Sequence, residues 1–80
     1  MPADTTQLVT YLVHALVDDP DNVSIVEKRT GSDVLYEITV ATEEVGKLIG
    51  RQGRIVKAIR TIARAAGSTA DSHVDVEIIG

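Results

Sequence analysis

Eighty residues with a formal net charge of −4, no Cys, no Trp, no Phe and two Tyr make one domain, near the small end of what folds alone. Such a chain has neither disulfides nor thiolate metal ligands to brace it, carries no apolar run of membrane-spanning length, and lacks the basic-then-apolar layout of a signal peptide, so a cytoplasmic domain with an aliphatic core is expected. The net charge argues against a polyanionic partner until its distribution is read. Six of the eight basic residues, Lys47, Arg51, Arg54, Lys57, Arg60 and Arg64, fall in a window from Val45 to Ala70 that holds none of the twelve acids. That segregation puts a local basic surface on an otherwise acidic body.

Asp4-Thr5-Thr6-Gln7 has the layout of a capping box. After it Leu8, Tyr11, Leu12, Ala15 and Leu16 recur at helical spacing, with Val9, Val13 and Val17 widening the apolar side, until Asp18-Asp19-Pro20 stops the run. The spacing predicts a helix over residues 5–17. Val23, Ile25 and Val26 lead a short strand, Thr30-Gly31-Ser32-Asp33 is turn chemistry, and Val34, Tyr36, Ile38 and Val40 alternate with Leu35, Glu37 and Thr39, which makes a β-hairpin. Thr42-Glu43-Glu44 reads as a cap followed by acids that suit the positive end of a helix, so a short helix is expected over residues 43–49. In a third helix Ile55, Val56, Ile59, Ile62, Ala63 and Ala66 form the apolar stripe, and Gly67 stands where a C′ residue would end it. Val74, Val76 and Ile78 alternate with Asp75 and Glu77 in a closing strand. The order α-β-β-α-α-β predicts an α+β fold with a three-stranded mixed sheet and its helices on one face. The span between the last two strands is long enough for a right-handed crossover that leaves them parallel.

Between the second and third helices, Gly50-Arg51-Gln52-Gly53 breaks the rule that the other two helix starts obey. A helix start ordinarily recruits a capping side chain and acids, because its free N–H groups and positive dipole end want negative partners. Here Arg54 and Lys57 add positive charge instead, at a cost of about 0.3–1 kcal/mol each unless an anion arrives. The bland alternative is a helix–turn–helix corner that uses glycine for positive φ. The functional reading is a phosphate clamp, with Arg54, Lys57, Arg60 and Arg64 at i, i+3, i+6 and i+10 along one side of the helix.

Other chemistries lack their residues. His14 and His73 have no neighbouring nucleophile, no His or carboxylate cluster has metal-ligand spacing, and Gly46, Gly50 and Gly53 match neither a Walker loop nor a dinucleotide fingerprint. An enzyme, a metal and a nucleotide cofactor are therefore not expected. The serious rival is a protein-interaction module, in which the aliphatic face of the first or third helix serves a homodimer or a second protein.

The stretch Gly46-Lys47-Leu48-Ile49-Gly50-Arg51-Gln52-Gly53-Arg54, together with Lys57-Ala58-Ile59-Arg60, resembles the GXXG core of a KH domain, and the element order resembles the type II, bacterial form of that fold. Over roughly residues 4–79 the chain is similar to the small stand-alone bacterial KH proteins of the KhpA family. The resemblance implies a protein that grips about four nucleotides of single-stranded RNA through the GXXG loop and an aliphatic groove, acting as a small RNA chaperone or post-transcriptional regulator. It implies that Gly50 and Gly53 let the backbone approach phosphates, that Arg51 and Gln52 contact them, and that Arg54 and Lys57 hold their neighbours, with Lys47 a lesser contributor. It also implies that Ile49, Ile55 and Ile59 floor the groove, assisted by Val45, although helical spacing alone reads the same isoleucines as core. A partnership with a larger, multi-domain KH protein linked to cell-envelope growth is a further implication.

Overall fold

The computed structural model describes residues 5–69 and 71–79. Helix α1 spans Thr5–Leu16, strand β1 Ser24–Thr30, strand β2 Asp33–Thr39, helix α2 Val45–Ile49, helix α3 Arg54–Ser68 and strand β3 His73–Ile79. Single 3-10 turns at Pro20–Asn22, Thr42–Glu44 and Arg51–Gly53 precede β1, α2 and α3. The sheet order is β1-β2-β3, with β1 antiparallel and β3 parallel to β2. This is the expected α+β architecture. The Asp4 side of the capping box lies outside the described residues.

Alternation along β2 decides which face of the sheet is covered. Val34, Tyr36 and Ile38 are buried, and the parallel register sets Val74 and Val76 of β3 beside Val34 and Tyr36, so one continuous apolar face receives the helices. Onto it pack Val9 and Val13 from α1, Val17 just beyond its end, Leu48 from α2 and Ile59 and Ala63 from α3. Tyr36, the one buried aromatic among the described residues, keeps its hydroxyl satisfied through Thr6 Oγ1 at 2.9 Å. Such a partner is what a buried phenol requires.

Three sequence expectations are corrected. In α1 the buried stripe is Val9 and Val13, continued by Val17, whereas Tyr11 is 71 % exposed and Ala15 and Leu16 also face outward. An almost uniformly apolar helix offers several candidate faces, and the i, i+4, i+8 valines are the set that fits the sheet. In α3, Ile62 is 41 % exposed, off the stripe carried by Ile59, Ala63 and Ala66. Gly67 does not end α3 either; the helix runs on to Ser68, and among the described residues of the α3–β3 connection the left-handed one is Asp71 at φ 55°. Gly67 is glycine because of contact. A Cβ there would sit 2.2 Å from Val74 Cγ2 and 3.2 Å from the Ser72 carbonyl oxygen. The absent side chain lets α3 lie directly on β3.

The start of α2 also differs from the expected cap. Ala41, not Thr42, holds the N-cap position of the 3-10 turn, and no side chain caps it. Glu44 turns inward and is buried, accepting the Asp18 amide at the end of α1 through Oε1. Its other oxygen has no hydrogen-bond partner among the described residues. The acid that suited a helix dipole in the sequence instead ties α2 to α1.

Candidate nucleic-acid interface

Between α2 and α3 the chain reverses within four residues, and the backbone angles explain the two glycines. Gly50 stands at φ 74°, ψ 174°, a region open essentially to glycine alone. A Cβ there would also meet the Ile55 side chain at 2.5–2.9 Å. Gln52 and Gly53 follow in the left-handed region, at φ 58° and 72°. For Gln52 that conformation costs on the order of 1 kcal/mol. The turn is held from within by the Gly50 amide on the Gly46 carbonyl at 2.8 Å and the Gly53 amide on the Gly50 carbonyl at 3.1 Å.

This geometry delivers α3 with an uncapped start. Neither the 3-10 turn nor α3 has a side-chain cap, and the first turn of α3 holds no acid. Arg51, Gln52, Arg54 and Lys57 are all exposed, and Arg51, Arg54 and Lys57 form no ion pair with a described residue. Arg54 instead reaches the Gln52 side-chain oxygen at 3.4 Å, a long contact that leaves most of the guanidinium donors free. Three exposed cations without a described acidic partner thus lie in the turn or in the first four residues of an uncapped helix, residue types that suit an anion at a positive helix end.

The other three basic residues of the window, Lys47, Arg60 and Arg64, each pair with an acid that is distant in sequence. Lys47 pairs with Asp18 and lies 3.6 Å from Glu44. The hydrogen bond to Asp18, reinforced by both negative charges against some desolvation, raises the Lys47 ammonium above the ordinary lysine value. Arg60 Nε lies 2.9 Å and Arg64 Nη2 3.6 Å from Asp75 Oδ1. Arg60 also donates to the Val76 carbonyl at 3.2 Å. The basic stripe read along α3 is thus split, open at its N-terminal half and neutralised at its C-terminal half. Sequence reasoning missed Asp75 because its only signal was a position eleven residues beyond Arg64, in another element.

The isoleucines divide as well. Ile59 is 3 % exposed and belongs to the core, so it does not line an accessible floor. Ile55, one turn earlier, is half-buried against the core and against Gly50, and Ile49 is half-buried at the end of α2. Val45 is half-buried and packs on the core too. Ile49 and Ile55 therefore keep apolar surface next to the loop.

A depression of about 860 Å³ lies elsewhere, between the β1–β2 hairpin, the end of α3 and the start of β3. Its wall mixes Lys28 and Arg64 with Asp33, Asp71 and Asp75, so it has no single sign of charge to offer an anion. Among the described residues no group of three or more His, Cys, Asp or Glu could hold a metal, and no helix is long and apolar enough to cross a membrane.

Comparison with known proteins gives this arrangement relatives. Residues 6–78 match the family described as KhpA/KhpB, KH domain. The RNA-binding protein KhpA of Listeria monocytogenes is 42 % identical over 73 residues, covering 91 % of this chain and 96 % of its own length. The RNA-binding protein KhpA of Clostridium acetobutylicum is 45 % identical over 73 residues, with 91 % and 97 % covered. That of Chlamydia trachomatis is 38 % identical over 73 residues, with 91 % and 94 % covered. No solved structure matches the chain. With the element order, the mixed sheet and the glycine-bounded loop in place, this chain belongs to the KhpA/KhpB KH-domain family.

Proposed function

We propose that this chain binds single-stranded RNA in the cytoplasm, as a small RNA chaperone or post-transcriptional regulator. Gly50, Arg51, Gln52 and Gly53 grip the sugar-phosphate backbone, and Arg54 and Lys57 hold the adjoining phosphates. Ile49 and Ile55 offer apolar surface to the bases. The observation that carries this reading is the corner itself, where an uncapped helix start meets three cations that have no acid among the described residues. The relatives named RNA-binding protein KhpA support it. Few aromatics is no obstacle, because a KH clamp holds the backbone and does not depend on the stacking rings of an RRM or OB-fold site. Replacing Arg51 and Gln52 together by Asp tests the proposal by fluorescence anisotropy on a labelled single-stranded RNA. Both side chains are exposed, so the variant is expected to keep the circular dichroism spectrum and lose RNA affinity by at least about tenfold. Unchanged affinity in the folded variant would remove the clamp.

A second reading concerns association. Tyr11, Leu16 and Ile62 expose large apolar surface on α1 and α3, 71 %, 36 % and 41 % of each residue respectively. A homodimer, or a complex with a larger multi-domain KH protein, would cover it and would raise avidity for RNA without new contacts. Light scattering on the native chain and on Ile62→Lys distinguishes a self-associating chain from a monomer.

A further inference from the structure

We propose that Asp75 limits how much RNA the clamp holds, by neutralising Arg60 and Arg64 at the downstream half of α3; this rests on the RNA-binding reading above. The basic row runs from Arg54 to Arg64, about 15 Å along the helix axis at the α-helical rise. Its first half is open and its second is closed by one carboxylate. Asp75 Oδ1 stands 2.8 Å from the Val76 amide, 2.9 Å from Arg60 Nε and 3.6 Å from Arg64 Nη2.

The alternative, that Asp75 simply staples β3 to α3, is the weaker account. The Asp75 side chain is 55 % exposed, against 58 % for Arg64 and 33 % for Arg60, ion pairs so solvated contribute little to stability, and Arg60 is held on β3 by the Val76 carbonyl at 3.2 Å independently of the carboxylate. Arg60 Nε is buried yet makes no hydrogen bond, so its approach to Asp75 is close without being well directed. A loosely held pair of this kind does little for the fold and much for the field, because a phosphate strand arriving at Arg60 meets a carboxylate already in place. The clamp is thereby confined to the Gly50–Gly53 end, and the sequence-independent grip on longer RNA is kept weak.

Asp75→Asn isolates the charge, since the amide oxygen can still accept the Val76 N–H. Binding of a labelled tetranucleotide and a labelled decanucleotide is measured against salt for the native chain, for Asp75→Asn, for Asp75→Asn with Arg60→Gln and Arg64→Gln, and for Glu77→Gln, which removes an exposed acid of the same strand that pairs with neither arginine. Expected for Asp75→Asn is tighter binding of the decanucleotide, about fivefold or more near 0.1 M salt, and a log–log salt slope steeper by about 0.7–1.4, the value for one or two added phosphate contacts on a single strand. The tetranucleotide should be unaffected and the triple variant should lose the gain. An unchanged slope in Asp75→Asn, an equal gain in Glu77→Gln, or a gain that survives the triple variant overturns the role of Asp75 while leaving the clamp standing. A native chain that binds neither oligonucleotide overturns both.

Discussion

The two ends of α3 solve opposite problems with the same residue types. At its start, Gly50 holds backbone angles open essentially to glycine alone, and Arg51, Arg54 and Lys57 face solvent without described acidic partners. At its finish, Gly67 removes a side chain so that the helix can touch Val74, and the arginines are folded against Asp75. Glycine serves both conformation and contact at Gly50 and contact alone at Gly67. Cations are kept available at one end and compensated at the other. The same letters in the sequence therefore carry different physics according to what the sheet brings alongside.

The sharpest way to separate the two ends is to add a methyl group at each. Gly50→Ala combines a glycine-only backbone region with a 2.5 Å collision on Ile55, and the two penalties together come to about 2–5 kcal/mol. Thermal denaturation should show a midpoint more than about 10 °C lower, given the 4–8 °C per kcal/mol typical of so short a chain. Gly67→Ala meets only the steric half, offset by the better helix propensity of alanine, for a net loss of about 1–2 kcal/mol. Its RNA affinity below the midpoint should be native, whereas a folded Gly50→Ala should bind RNA poorly. Equal effects of the two changes on binding would erase the distinction.

Charge changes give smaller effects of the same kind. Arg54→Gln and Lys57→Gln should each flatten the salt dependence of RNA binding by about 0.7, while Lys47→Gln should leave it unchanged because Asp18 and Glu44 already occupy that ammonium. Lys47 should show itself in stability against pH instead. A lysine whose folded value is raised binds its proton more tightly when folded, so its contribution is complete below the ordinary 10.5 and is lost as the pH climbs through the higher folded value. Lys47→Gln should remove part of that alkaline loss in denaturant titrations compared at neutral and strongly basic pH. An identical alkaline loss in both proteins would dissociate Lys47 from Asp18.

Much of this was legible in the chain and some was not, for identifiable reasons. Period-two alternation in β2 and β3 gave the covered face directly, because a strand buried on one side has only one register that works. The Gly50–Gly53 loop could be read because two glycines three apart interrupt the helical pattern and cations instead of acids follow them, whereas the contrast in capping did not hold, since no side chain caps the turn before α2 either. The faces of α1 could not be read, since Leu8, Tyr11, Leu12 and Leu16 offer as good an apolar stripe as Val9, Val13 and Val17, and only the sheet chooses. Ile59 was ambiguous for the same reason, being one turn from Ile55 on a continuous stripe. The Lys47 and Asp75 pairings lay beyond reach, since both join residues from separate elements that only the folded sheet and helix layer bring together.

The salt dependence of native binding to a short single-stranded RNA tests the clamp most directly. Three cations without acidic partners, Arg51, Arg54 and Lys57, predict a slope of log K against log salt of about −2. A flat dependence with affinity retained would mean that apolar contact, and not the backbone clamp, holds the RNA.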